Sequence, residues 1–90
     1  MNRVIIDTRE DFEYQQSHVD GAINLSPAKF MGGEVPAELT DIAKDTEIIV
    51  YCRSGQRSNT VAQILRMHGF SNIVNGVNEH HVAKRLRDEG

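Results

Sequence analysis

Hydrophobic and polar positions along the chain predict strands that alternate with helices. The clearest strand is Glu47–Tyr51, where three consecutive β-branched residues without polar alternation are typical of a strand buried on both faces of a parallel sheet. A β-branched run at Arg3–Asp7 predicts another buried strand. Shorter apolar segments predict strands at Ala22–Leu25 and Ile73–Val74.

Apolar residues at helical spacing predict two helices, Ser58–His68 and Asn78–Arg87. Gly69 follows the first of them as a stop signal. A shorter helix is predicted at Pro36–Ala43. Near the N-terminus, Thr8 suits the N-cap of the next segment, but the two aromatic residues that follow it are too few to define a helix.

The alternation predicts an α/β fold, in which right-handed crossovers build a central parallel sheet with helices on both faces. Ninety residues suffice for one compact core, so we expect a single domain over residues 1–90. Ligands of such sheets bind at the carboxyl ends of the strands. Asp7, Cys52 and Gly76 are predicted to lie at that edge, which is therefore the expected position of a functional site.

Charge and cysteine content narrow the classes of partner. The formal net charge of −3 makes the chain a poor general binder of nucleic-acid phosphates, whereas Arg53 and Arg57 together suit a small anion. A single cysteine cannot form an internal disulfide, and no Cys/His spacing is typical of a zinc site. No apolar stretch reaches the length of a signal peptide core or a membrane span. We expect a cytoplasmic protein without metal, nucleic acid or membrane partners; a periplasmic location remains open if a leader has been removed.

Cys52 is the residue most clearly marked for chemistry. It follows an apolar run and precedes a helical pattern, and such a turn gathers backbone N–H groups at the positive end of a helix dipole. Two nearby arginines also favour the thiolate, and Gly55 allows the backbone to curl. Cys52 is therefore predicted to be a nucleophile. Ser58 is expected to fit the turn, with its hydroxyl as a candidate donor to the thiolate.

Three sequence blocks occur in a fixed order: Ile6–Arg9, His18–Asn24 and Ile49–Ser58. With Gly69-Phe70 before the last predicted strand, they cover nearly the whole chain and resemble the single-domain rhodaneses, a family of sulfurtransferases. The resemblance implies a small three-layer α/β domain. It also implies that sulfane sulfur moves from thiosulfate or a similar donor, through a persulfide on one cysteine, to cyanide or a thiol acceptor without a cofactor.

The same resemblance implies roles for individual residues. Cys52 would carry the persulfide, and Arg57 would help to hold the donor. Asp7 would lie beneath the loop as a hydrogen-bond acceptor, and Arg9 would pair with acidic neighbours. The residues that the resemblance places around the donor are Arg53, Ser54, Gly55, Gln56, Arg57 and Ser58.

Two other functions stay open. One is a cysteine-dependent phosphatase, a class that has an arginine six positions after the cysteine. This chain has Ser58 at that position and its arginine, Arg57, one position earlier, which disfavours a phosphatase. Relatives commonly carry a glycine pair and a tryptophan after the last strand, whereas this chain has Asn75–His80 and no tryptophan. Without the tryptophan, one wall of the pocket would be missing and the pocket would be shallow. A shallow pocket would suit the second alternative, a persulfide carrier or interaction module that delivers sulfur to a partner protein. Because the chain starts almost directly at the first of the three sequence blocks, we expect it to lack a preceding edge strand and helix that are often seen in relatives.

Histidine and aromatic residues suggest few further sites. His18 lies in a block that reads as a structural turn, and His80-His81 point in different directions on a helix, so a solvated face explains them better than a shared metal ion. Phe30 and Met31 precede two glycines and are predicted to edge the pocket. The remaining aromatic residues are expected in the core or at the pocket rim.

Overall fold

The structure is a computed structural model that describes residues 3–89. Its four strands form one parallel sheet in the order β2-β1-β3-β4. They are β1 (Arg3–Asp7), β2 (Ile23–Asn24), β3 (Glu47–Cys52) and β4 (Ile73–Asn78). The single domain predicted over residues 1–90 begins and ends at residues that lie outside the described part of the chain, so its bounds stay a prediction.

Three helices connect and follow the strands: α1 (Asp11–Gln16), α2 (Gln56–Met67) and α3 (Glu79–Glu89). Two 3₁₀ turns, Pro27–Phe30 and Ala37–Leu39, lie between β2 and β3. Among residues 3–89, no helix combines the length and apolar character needed to cross a membrane.

Side chains on the two faces of the sheet form two cores, because neighbouring residues of a strand point to opposite faces. Ile48 and Val50 of β3 pack with α2 and the Pro27–Phe30 turn. Ile49 and Tyr51 pack with Val82 of α3 and the segment after α1. The predicted α/β domain, with helices on both faces of a parallel sheet, is confirmed.

The predicted helix at Pro36–Ala43 is wrong, since only Ala37–Leu39 form a single 3₁₀ turn. The Thr40 hydroxyl donates to the Ala37 carbonyl, and such a local bond competes with continued helix. Leu39 is buried by this one turn, and Ile42 packs against the same core beyond it.

Thr8 does not cap α1. Its hydroxyl donates to the Tyr51 carbonyl, and the N-cap is Glu10, which forms a reciprocal capping box with Glu13. The capping box explains how six residues form a helix in a segment whose apolar pattern does not define one.

The sheet reverses its winding between β1 and β3, and a crevice opens there at the carboxyl ends of the strands. Asp7 pairs in register with Tyr51, so Asp7 and Cys52 end neighbouring strands. The predicted position of Gly76 at this edge is wrong, because a bulge in the β3–β4 pairing places Asn78 beside Cys52. A Cβ at Gly76 would overlap the Val82 side chain of α3, so the glycine allows the helix to pack closely on β4.

Candidate active site

The loop between β3 and α2 curls around the thiol of Cys52. Cys52 ends β3, and α2 begins only four residues later at Gln56. Gly55 makes this turn with a φ of +95°, a left-handed conformation that side chains disfavour. Its backbone N–H donates to Cys52 Sγ over 3.0 Å. The thiol is therefore held in a cup of backbone amides at the start of a helix.

The environment lowers the pKa of Cys52 to about 7. Burial opposes ionisation, but donors of the loop outweigh it: the backbone N–H and hydroxyl of Ser58 and the backbone N–H groups of Ser54 and Gly55. Near neutral pH, Cys52 is consequently ionised in a large fraction of the molecules, and the thiolate is the nucleophilic form.

The side chain of Asn75 in β4 hydrogen-bonds to this loop. Its Oδ1 lies 2.7 Å from the Ser58 hydroxyl and accepts a bond from the Val77 N–H, while its Nδ2 donates to the Gly55 carbonyl. The Ser58 hydroxyl also lies 3.6 Å from Cys52 Sγ and 3.2 Å from the Gly55 carbonyl oxygen, so its single proton can serve Asn75, that carbonyl or the thiol. Sequence reasoning missed Asn75, because its loop partners lie 17 and 20 positions away.

A cavity of about 640 Å³ opens over the thiol. Cys52 lies in its wall, with Arg53 beside it. The other lining residues belong to the segment after β1, to α1 and its C-cap, to the end of β4 and to the first turns of α3. They are Arg9, Glu13, Gln16, Ser17, Asn78, Glu79, His80 and Ala83.

Of the six residues predicted to surround the donor, Arg53–Ser58, only Arg53 lines this cavity, and Phe30 and Met31, predicted to edge the pocket, do not. Phe30 is buried in the core on the α2 face, and Met31 is 70% exposed. Both follow β2 on the opposite side of the sheet from α1 and α3, which form the cavity. His80, read from sequence as part of a solvated face, does line the cavity mouth. Within residues 3–89, no group of three His, Cys, Asp or Glu side chains could hold a metal ion.

Asp7 and Arg9 form a buried ion pair at the base of the cavity. Arg9 donates through Nε and Nη2 to both carboxylate oxygens, at 2.9 and 2.7 Å. The Arg9 backbone N–H and the Tyr51 hydroxyl also donate to Asp7, at 2.9 and 3.0 Å, and burial raises the pKa of that tyrosine. Arg9 also donates to the Ser17 carbonyl and lies 3.8 Å from Glu79. This network joins the ends of β1, β3 and α1 and the start of α3.

Arg57, predicted to hold the donor, pairs instead with Glu13. Its two terminal nitrogens donate to the two carboxylate oxygens over 2.8 and 3.3 Å, and the Arg57 side chain does not line the cavity. The physical reason is the burial of Glu13, whose side chain is only 9% exposed and requires a cationic partner. Hydrogen bonds from Arg57 lower the pKa of Glu13 to about 2, against the effect of burial. Arg53 is the loop arginine that faces the cavity.

Comparison with known proteins assigns the chain to a family. The model of the family described as "Rhodanese-like domain" matches residues 1–79. The chain belongs to the rhodanese-like family. This confirms the resemblance drawn from Ile6–Arg9, His18–Asn24 and Ile49–Ser58. Rhodanese-like domains are sulfur-transfer domains, and the cysteine loop of this one has the geometry given above.

Named relatives of this rhodanese-like domain differ in function. The thiosulfate sulfurtransferase PspE of Escherichia coli is 36% identical over 78% of this chain and 64% of its own length. YrkF of Bacillus subtilis, a proposed sulfur carrier protein, is 32% identical over 81% of this chain and 37% of its length. A tRNA uridine(34) hydroxylase of Erwinia tasmaniensis is 29% identical over 97% of this chain and 25% of its length. The chain thus spans from a quarter to less than two thirds of these relatives.

Solved structures place the fold in the same family. An Escherichia coli rhodanese with anions is 30% identical and superposes with a TM-score of 0.71, covering 90% of this chain and 92% of the other. Because nearly all of both chains superpose, the sheet order and the helices on its two faces are those of a rhodanese-like domain.

Proposed function

We propose that this rhodanese-like domain is a sulfurtransferase of the thiosulfate type. It moves sulfane sulfur from thiosulfate or a similar donor to cyanide or a thiol, through a persulfide on Cys52. The observation that carries the proposal is the thiol itself, which has a pKa of about 7 and lies 3.0 Å from the Gly55 N–H in a cavity wall.

The first half-reaction forms one sulfur–sulfur bond and breaks another. The Cys52 thiolate attacks the outer sulfur of thiosulfate, and the electron pair of the donor's S–S bond leaves with sulfite. Cys52 then carries a persulfide whose outer sulfur is negatively charged. Backbone N–H groups that already favour the thiolate, those of Ser54, Gly55 and Ser58, are suited to stabilise that charge.

The second half-reaction returns the enzyme to its starting state. Cyanide or a thiolate attacks the outer sulfur, and the electron pair of the persulfide bond returns to Cys52 Sγ. The same amides stabilise the leaving Cys52 thiolate. Because they lower the pKa of Cys52, its thiolate is a good leaving group. No metal or organic cofactor takes part in either step. Arg53, at the cavity mouth, is the cation placed to attract an anionic donor.

Intact mass of the protein tests this function. After incubation with excess thiosulfate, the mass should rise by one sulfur atom and fall back on addition of cyanide, with thiocyanate formed. Cys52→Ser should show neither change, and hydrolysis of an aryl phosphate is not expected. Sulfur uptake by Cys52→Ser, or none by the unaltered protein, would refute the proposal.

A persulfide carrier that serves a protein acceptor is the second candidate. YrkF, one of the relatives, has the name of a sulfur carrier, and the cavity here is walled by His80 and Ala83 at a position where relatives commonly have a tryptophan nearby. Transfer rates from the Cys52 persulfide to cyanide, a small thiol and a protein thiol separate the candidates. A carrier would transfer to the protein thiol far faster than to either small acceptor.

A further inference from the structure

Positive charge around Cys52 is matched by negative charge. Arg9 is held by Asp7 and lies near Glu79, and Arg57 is held by Glu13. Arg53, which lines the cavity, also lies 3.8 Å from Glu13, and its side chain is 75% exposed. Three arginines therefore face three carboxylates, and the thiolate adds one further negative charge. A site of this kind offers an anionic donor backbone amides but no surplus of cations.

Glu13 is the carboxylate that sets this balance. It lies in the cavity wall, is almost fully buried, and contacts both arginines of the cysteine loop. The Glu10 N–H donates to its Oε1 over 2.9 Å, which fixes the carboxylate on the first turn of α1. Because the Arg57 guanidinium is paired with Glu13, Arg53 is the arginine of the cysteine loop that lines the cavity.

We infer that Glu13 is a specificity-determining residue that selects against doubly charged sulfur donors. The inference rests on the proposed sulfur transfer and names the class of donor that the site favours. With Glu13 present, the carboxylates match the arginines, so the ionised thiol leaves the site with one net negative charge. Its repulsion of a thiosulfate dianion is large because repulsion grows in proportion to the charge of the donor. An alkyl persulfide, with one negative charge or none, meets at most half of that repulsion. Thiosulfate is then a substrate of low efficiency, and alkyl persulfides are favoured.

Transfer from an alkyl persulfide balances without another reactant. The Cys52 thiolate attacks the outer sulfur of R–S–S–H, a new bond forms between Cys52 Sγ and that sulfur, and the donor's S–S bond breaks. Its electron pair leaves with the alkyl thiolate, and the proton stays on the transferred sulfur until the loop amides favour its loss. No oxidant or reductant is consumed.

The variant Glu13→Gln removes the charge and keeps an oxygen that can accept from Arg57 and Glu10. Its kcat/KM for thiosulfate should rise about tenfold, and that for an alkyl persulfide about threefold, because one donor carries twice the charge of the other. Glu38→Gln is the matched control, since it makes the same change in net charge at an exposed turn outside the cavity. It should leave both values unchanged.

Ionic strength gives a second test, which begins with the unaltered protein. In the unaltered protein, kcat/KM for thiosulfate should rise with salt, because screening weakens repulsion, and the rise should be smaller for the alkyl persulfide. In Glu13→Gln the salt dependence for thiosulfate should largely disappear, because three arginines then face two carboxylates and the thiolate. The Glu38→Gln control should follow the unaltered protein.

Several results would overturn the role of Glu13. They are equal changes for the two donors in Glu13→Gln, a lower kcat/KM for thiosulfate, or a thiosulfate rate in the unaltered protein that falls with salt. A purely structural role would lower both rates together with the melting temperature. If neither donor adds sulfur to Cys52, the proposed function itself fails; if both do and Glu13→Gln changes nothing, only the role of Glu13 fails.

Discussion

Asn75 Oδ1 lies 2.7 Å from the Ser58 hydroxyl, and this contact joins β4 to the loop that holds the thiol. The Asn75 amide also accepts from the Val77 N–H and donates to the Gly55 carbonyl. One side chain thus satisfies three groups of the cysteine loop and the β4 bulge. The shape of the amide cup depends on strand β4 as well as on the loop itself.

The first prediction concerns this amide. Asn75→Ala leaves part-buried polar groups of the loop without partners, so the free energy of unfolding should fall by ~1–3 kcal/mol. Denaturant titration measures the change. Asn72→Ala, which removes only a 3.4 Å contact of an exposed side chain, is the control and should change little. Equal stability of the two variants would contradict the role given to Asn75.

A second prediction concerns the hydroxyl beside the thiol. Ser58→Ala removes one of the donors that lower the pKa of Cys52, so the pKa should rise. Ultraviolet absorbance of the thiolate against pH gives the midpoint directly. Thr60→Ala removes an exposed hydroxyl from the same helix and should leave the midpoint in place. An unchanged midpoint in Ser58→Ala would leave the shift to the backbone amides alone.

Backbone strain at Val77 leads to a third prediction. Val77 has a φ of +72°, and a β-branched residue in the left-handed region costs ~1–2 kcal/mol. Val77→Gly removes that strain but adds unfolded-state entropy, so stability should rise by at most ~1 kcal/mol. Val74→Gly in the same strand has no such strain to release and should destabilise. Thermal unfolding of both variants tests the prediction, and a destabilised Val77→Gly would contradict it.

The fourth prediction links the thiol to stability. The folded state lowers the pKa of Cys52 from 9.0 to about 7, so between these values the unfolded chain binds more protons than the folded one. The free energy of unfolding should therefore rise with pH across this interval, relative to Cys52→Ser, and the gain should disappear as pH falls through about 7. Parallel pH dependence in the two proteins would contradict the lowered pKa.

Local patterns predict most of this fold and the thiol loop. The strands β1 and β3 come from β-branched runs, and the loop comes from a strand end, a glycine and a helix start within a few residues. The helix α1 could not be predicted from hydrophobic spacing, because Phe12 is 65% exposed and a capping box stabilises the helix start. Its existence depends on hydrogen bonds of Glu10 and Glu13 rather than on an apolar face.

Long-range pairs mark the limit of prediction for the site. Arg57 and Glu13 are 44 positions apart in the sequence. Nothing in the spacing of the cysteine loop shows that the second arginine of the loop forms an ion pair with a buried carboxylate. Asn75 and His80 reach the site through the β4 bulge and the start of α3, which depend on how the last strand pairs. The residues of one continuous loop were accessible to sequence reasoning, and those brought in by other elements were not.

The rate of sulfur uptake from thiosulfate, followed by intact mass as a function of pH, tests the central claim most directly. A thiolate in the amide cup is predicted to take up one sulfur atom at a rate that rises through a midpoint at about 7 and then levels off. Cys52→Ser should take up none. Absence of uptake, or a midpoint near the 9.0 of an ordinary thiol, would contradict the account.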